Sequence, residues 1–77
     1  LQEGDTGDAV TNLQQRLWTL GYLLTEDVEN SIGTYHDKTA DAVRAAQQAM
    51  GYTEPSGTAS AEFQCFLFSD YGEFIKR

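Results

Sequence analysis

The chain has 77 residues, of which 40% are hydrophobic, and a formal net charge of −7 at pH 7. This length allows one domain with a small core, and the hydrophobic share is too high for a disordered segment. The negative charge argues against nucleic acid and anionic membrane surfaces as partners, and no apolar run approaches the roughly 20 residues that span a bilayer.

A single cysteine, Cys65, excludes an internal disulfide bond. Small secreted domains often depend on disulfides, so this domain has to rest on helix packing or on contacts with neighbouring domains. No signal peptide opens the sequence, and the abrupt start at Leu1 suggests a module of a longer protein.

The first predicted element is an amphipathic helix that begins at Asp8 and ends at Gly21. Gln14 lies at the edge of its apolar face, and Gly21 can take the left-handed conformation that ends a helix. Before it, residues 1–7 form a turn-rich lead-in, in which Asp5 or Thr6 can supply an N-cap oxygen. The apolar face repeats at the three- and four-residue spacing of a helix and consists of Val10, Leu13, Leu17 and Leu20.

Two further helices follow. The second begins at His36 or Asp37 and runs to about Met50, and residues 51–52 repeat the Gly-Tyr stop of the first. Residues 23–35 between them keep no period and predict an ordered connection with a short extended piece. The third helix runs from Ala61 to about Phe68 after Ser60 as N-cap; its inward-facing residues are predicted to be Phe63, Phe66 and Leu67.

The predicted fold is therefore all-α: a small three-helix orthogonal bundle with long ordered loops. The domain is expected to cover residues 1–69. Residues 70–77 form a tail that either packs against the domain or begins a linker.

Each predicted helix carries a glutamine at the edge of its buried stripe: Gln14, Gln47 and Gln64. A buried amide without hydrogen bonds costs roughly 1–3 kcal/mol. Backbone groups of the long loops can satisfy both ends of such an amide. We therefore expect these glutamines to hold loops against helices, in preference to binding a ligand.

The order of these motifs resembles the peptidoglycan-binding domain of the three-helix type. The first half of that pattern is similar to Gly4-Asp5-x-Gly7-x-x-Val10-x-x-Leu13-Gln14-x-x-Leu17-x-x-Leu20-Gly21-Tyr22. The second half is similar to Gly33-x-Tyr35-x-x-x-Thr39-x-x-Ala42-Val43-x-x-x-Gln47-x-x-x-Gly51. The positions that depart from the family pattern are Ile32, His36, Ala46, Tyr52 and Phe63.

The resemblance implies a non-catalytic module that binds peptidoglycan glycan or stem peptide and anchors an attached protein, such as a hydrolase, in the bacterial envelope. It implies a cell-wall or extracellular location within a longer secreted protein, including spore-associated ones. No cofactor, metal, nucleic acid or membrane insertion is implied. The candidate ligand contacts are the aromatic residues Trp18, Tyr22 and Tyr35 together with Thr39. The alternatives are the helix stop for Tyr22, core packing for Tyr35 and a structural role for Thr39.

Other chemistry has little support in the sequence. His36 is the only histidine, and Cys65 lies on a short helix with none of the features that lower a thiol pKa. The acidic segment from Glu26 to Asn30 lacks the spacing of a calcium loop. A spacer or protein-interaction module on the same fold stays open as the alternative function.

Overall fold

The computed structural model describes all 77 residues, which form five helices and no strand. The all-α prediction is confirmed, and three of the five helices are the predicted ones. The count differs because two short helices are added, one in the connection and one in the tail. In chain order the helices are α1 (Asp8–Thr19), α2 (Thr25–Ser31), α3 (Asp37–Ala49), α4 (Ala61–Phe68) and α5 (Asp70–Phe74).

Both predicted Gly-Tyr stops are present and have the same hydrogen bonds. After α1, the Gly21 N–H donates to Trp18 O at 3.0 Å and the Tyr22 N–H to Leu17 O at 2.8 Å. After α3, Gly51 and Tyr52 repeat this pair of bonds three and five residues back along the chain. This is the Schellman arrangement, which requires a left-handed residue, and the two glycines have φ values of 87° and 91°.

The connection between α1 and α3 was predicted wrongly in part, because residues 25–31 are helical. Val28 is the single apolar residue of α2 and Ser31 its single buried one, so no apolar period marks this helix in the sequence. The predicted N-cap of α1 is also wrong. Gly7 occupies the N-cap position without a side-chain bond, while the Asp5 carboxylate accepts from the Gln2 N–H at 2.9 Å.

Helix α1 lies at the centre of the fold and contacts α2, α3 and α4. Its predicted stripe is fully buried and faces the apolar side of α3. Two departures from the family pattern, Ala46 and Phe63, are both fully buried in this core. The same core therefore contains a small side chain at position 46 and a large one at position 63. No helix is long and apolar enough to span a membrane.

The tail packs partly onto the domain. Ile75 is buried, and the Arg77 N–H donates to Leu20 O at 2.8 Å. Phe74 is 83% exposed, and Phe66, which was predicted to face inward, is 42% exposed. The division into a 1–69 domain and a 70–77 tail stays a prediction.

The N-terminal segment lies between two loops. Gly4 and Asp5 exchange backbone hydrogen bonds with Tyr35, and Leu1 exchanges them with Ala59. This pairing holds residues 2–3 beside the loop that precedes α4.

Candidate functional site

Gln14 holds the loop between α2 and α3. Its Oε1 accepts from the Gly33 N–H at 2.9 Å, and its Nε2 donates to Thr34 O at 2.9 Å. The same Nε2 lies 3.0 Å from Ser31 O and 3.0 Å from Thr39 Oγ1. Both ends of this fully buried amide are therefore hydrogen-bonded.

Gln47 holds the loop before α4 in the same way. Its Oε1 accepts from the Gly57 N–H at 3.0 Å, and its Nε2 donates to Thr58 O at 3.0 Å. Each clamped loop thus presents a Gly-Thr pair to its glutamine. Each pair is followed by one buried residue and then the N-cap of the next helix.

Gln64 differs from the other two. It is half-buried, and its Nε2 donates only to Ala59 O at 2.9 Å, five residues earlier in the chain. It ties the start of α4 to its own loop and holds no distant segment.

A polar cleft of about 230 Å³ opens where the N-terminal segment, α3 and the loop clamped by Gln47 meet. Its wall carries a carboxylate, a guanidinium, two hydroxyl groups and an amide. The residues that line it are Gln2, Glu3, Ala40, Arg44, Ser56, Gly57 and Thr58.

Arg44 is the fixed charged group of this polar cleft. Its Nη1 lies 2.8 Å from Asp41 Oδ1, one helical turn back on α3. A Cβ atom on Gly57 would come within 3.1 Å of the Nε, Cζ and Nη2 atoms of Arg44. The guanidinium therefore lies flat against a glycine that leaves room for it.

Tyr35 supports the polar cleft from inside the core. Its ring is buried, and its hydroxyl donates to Gly57 O. Burial raises the pKa of Tyr35 to about 12, a rise that the positive charge of Arg44 opposes and the carboxylates of Glu3 and Asp5 reinforce.

The sequence profile of the peptidoglycan binding domain family matches residues 6–64. The chain belongs to this family. The match contains α1, α2, α3 and both loops clamped by glutamine, and it confirms the resemblance expected from the sequence. No curated protein and no solved structure matches the chain significantly.

The four predicted ligand contacts of this peptidoglycan binding domain do not converge on one groove. Tyr22, Tyr35 and Thr39 are buried, and none of the four lines a cavity. The Tyr22 hydroxyl donates to Ile75 O, while Thr39 accepts from Gln14. Only Trp18 is open to a ligand; it is 49% exposed, and its Nε1 donates to Thr25 Oγ1 at 2.9 Å.

The remaining reactive side chains have ordinary surroundings. His36 caps α3, since its Nδ1 accepts from the Lys38 N–H at 3.0 Å. Cys65 is exposed and free. No group of three or more histidine, cysteine, aspartate or glutamate residues is close enough to hold a metal ion.

Most of the polar cleft leaves no signal in the sequence, because its residues come from three separate segments and follow no period. The repeated Gly-Thr pairs at residues 33–34 and 57–58 were the available signal. Together with the paired glutamines they indicate two loops of related design.

Proposed function

We propose that the domain binds peptidoglycan in the polar cleft, without catalysing a reaction, and thereby anchors an attached protein to the wall. The observation that carries this proposal is the guanidinium of Arg44, held against Gly57 and Asp41 at the mouth of a cleft. Family membership indicates peptidoglycan as the ligand, and the polar cleft is a surface that could bind it.

The lining suits a ligand that has both carboxylates and neutral polar groups. A guanidinium forms two parallel hydrogen bonds with a carboxylate, so Arg44 is placed to bind the carboxylate of a stem peptide. The hydroxyls of Ser56 and Thr58 and the amide of Gln2 can pair with sugar hydroxyls and acetamido groups. Glu3 can accept from an amine of the peptide.

The lining gives catalysis little support. Glycoside hydrolysis uses a pair of carboxylates, and Glu3 is the single carboxylate in the wall. The family is one of binding domains, so we infer a targeting role. The domain would act outside the cytoplasmic membrane, as part of a longer secreted protein with a hydrolase or another wall enzyme, including enzymes of the spore wall.

Co-sedimentation of the 77-residue chain with purified insoluble peptidoglycan tests this function. The Arg44→Gln variant should bind roughly tenfold more weakly, because a hydrogen bond to a charged group is lost. Lys38→Gln is the matched control, since it removes the same charge from the same helix outside the polar cleft, and its binding should stay within about twofold of the parent. Circular dichroism and urea denaturation verify that both variants are folded.

A Trp18→Ala variant separates the polar cleft from the one exposed sequence candidate. If pelleting depends on Trp18 and not on Arg44, the binding surface lies at the junction of α1 and α2. If the parent chain pellets with no wall preparation, the spacer or protein-interaction function is favoured instead.

A further inference from the structure

A second cavity lies on the opposite end of α3 from the polar cleft and has a different character. It also measures about 230 Å³, but all four of its lining residues are hydrophobic. We call it the aromatic pocket; it is lined by Met50, Tyr52, Phe66 and Tyr71. The three rings come from the turn after α3, from α4 and from α5.

The rings of the aromatic pocket are held by contacts within the domain. Tyr52 packs edge to face against the buried ring of Phe63, with centroids 6.4 Å apart. Phe66 and Tyr71 lie 5.8 Å apart at an interplanar angle of 51°. The Tyr71 hydroxyl lies 3.4 Å from Met50 O, which ties α5 to the end of α3. The pocket is therefore formed before any ligand arrives.

The segments that form the aromatic pocket are acidic. Glu62 lies close enough to Tyr52 to reinforce the rise that burial causes in the pKa of that tyrosine. Asp70 and Glu73 flank Tyr71 in the sequence, and no lysine, arginine or histidine occurs within two residues of any lining residue. One cation reaches the turn between α4 and α5: the Arg16 guanidinium donates to Leu67 O and Ser69 O, and it lies 3.4 Å from Glu73 Oε1, which it neutralises in part.

The end of α3 adds to this field. Met50 is the C-cap residue of α3, and the C-terminus of a helix carries partial negative charge that favours cations. Ring faces attract a cation by their quadrupole, and they do so best for alkylated ammonium groups that lose little hydration. Apolar walls, three aromatic rings and acidic neighbouring residues are thus combined at one place.

We propose that the aromatic pocket is a binding site for an alkylammonium group. The proposal does not rest on peptidoglycan binding in the polar cleft, because the two cavities share no lining residue. A quaternary ammonium of the choline type is the expected occupant, because it has no N–H group that must be stripped of water; the primary ammonium of a lysine side chain belongs to the same class but is more strongly hydrated.

Two-dimensional NMR titration of the 15N-labelled 77-residue chain tests the proposal and separates these two sources. The cationic probes are choline and Nα-acetyl-lysine N-methylamide. Their neutral comparators of similar shape are 3,3-dimethylbutan-1-ol and Nα-acetyl-norleucine N-methylamide. We expect at least one cation to shift the amides of Gly51, Tyr52 and Tyr71 with a dissociation constant about threefold or more below that of its comparator, the factor expected from a cation–π contact.

The Tyr71→Leu variant keeps the apolar volume and removes a ring, so it should lose the preference for the cation while it still binds the neutral comparator. Phe68→Leu is the matched control, because Phe68 is an exposed aromatic residue of α4 that does not line the pocket. Equal affinity for cation and comparator would show a plain hydrophobic pocket and overturn the proposal. Absence of shifts with both cations would overturn it as well.

Discussion

Gln14 and Gln47 show how one amide side chain can determine the path of a loop. Each occupies the buried edge of a long helix, accepts from a glycine N–H and donates to the carbonyl of the following threonine. A buried side chain that satisfies both backbone groups removes the cost of burying them. No buried side-chain polar atom in the domain lacks a partner.

Replacing Gln14 with leucine should therefore destabilise the fold. The change keeps the volume but leaves the Gly33 N–H and the Thr34 carbonyl without a partner, while the Ser31 carbonyl keeps its bond from the Thr34 N–H. We expect the free energy of unfolding to fall by about 2–4 kcal/mol, measured by urea denaturation.

Gln64→Leu is the matched control for this substitution, because Gln64 is half-buried and makes one hydrogen bond. It should cost less than about 1 kcal/mol. Equal losses for the two variants would mean that the loop is held by something other than the amide of Gln14.

The raised pKa of Tyr35 predicts that the free energy of unfolding falls at alkaline pH. Its pKa lies at about 12 in the folded chain against 10.0 ordinarily, mainly because of burial. Between pH 10 and 12 the unfolded chain loses a proton that the folded chain retains, so the free energy of unfolding falls as pH rises. Below pH 10 Tyr35 is protonated in both the folded and the unfolded chain, so its contribution to stability is fully present. Its loss is at most about 3 kcal/mol at pH 12.

Urea denaturation at several pH values from 8 to 11.5 measures this slope. The Tyr35→Phe variant loses the hydrogen bond to Gly57 at every pH, but its stability should fall less steeply above pH 10. Burial also raises the pKa of Tyr22 and Tyr52, so a residual slope is expected. An unchanged slope in the variant would contradict the role given to Tyr35.

At the scale of elements, sequence periodicity predicted the helices that bury a stripe and missed those that do not. Helices α1 and α3 show the three- and four-residue spacing because several turns of each face the core. Helices α2 and α5 bury only one residue each. Their formation depends on the neighbours they touch, so a single-sequence pattern does not reveal them.

Helix α2 lacks a side-chain cap, which gives a route to stabilise it. Leu24 occupies the N-cap with φ of −78° and ψ of 152°, makes no side-chain cap bond, and is 66% exposed. A serine there can accept from the free N–H groups of the first turn. Leu24→Ser should therefore raise the free energy of unfolding by about 0.5–1 kcal/mol, measured by urea denaturation.

Leu24→Ala provides the comparison for this variant, since it removes the same side chain without adding an oxygen. The gain should be absent there. If serine and alanine behave alike, the N-terminus of α2 is already satisfied by other groups.

Gly72 determines whether α5 can pack on α4. A Cβ atom at this position would lie 2.0 Å from Leu67 O and 2.9 Å from Arg16 Nη2. Arg16 also binds this turn through Leu67 O at 2.8 Å and Ser69 O at 3.2 Å. The backbone carbonyl cannot move aside easily, so Gly72→Ala should displace α5.

We expect this displacement to expose Ile75 and to lower the free energy of unfolding by about 2 kcal/mol or more. The NMR signals of the Ile75 side chain and urea denaturation measure the two effects. Glu73→Ala is the control on the same helix and should change stability by less than about 1 kcal/mol. Retention of the Ile75 packing in Gly72→Ala would contradict this account.

At the scale of the molecule, sequence motifs predicted the family and the fold class. The polar cleft could be recognised only in the folded structure. The Leu13-Gln14 and Gly21-Tyr22 motifs are local and carry the family pattern. Arg44 belongs to no motif, and its place beside Gly57 in the wall of the polar cleft depends on how three segments meet. Tyr22 and Tyr35 were predicted as ligand contacts because they are aromatic, and how deeply each ring is buried followed only from the folded structure.

The net charge of −7 predicts how wall binding responds to salt. Walls carry carboxylates and often phosphates, so general attraction contributes nothing, and the binding proposed above rests on specific contacts around Arg44. We expect the pelleted fraction in co-sedimentation to stay level or fall as salt is lowered from about 0.15 M to 0.02 M. A steep rise in binding at low salt would point to nonspecific electrostatic attachment.

The central claim is that the polar cleft is the peptidoglycan site. NMR titration of the 15N-labelled chain with soluble peptidoglycan fragments that retain sugar and stem peptide tests it most directly. A fragment bound in the polar cleft should give the largest shifts at the amides of Glu3, Arg44, Gly57 and Thr58, and these shifts should be lost in Arg44→Gln but not in Lys38→Gln. Shifts confined to Trp18 and α2, or no shifts with any fragment, would contradict it.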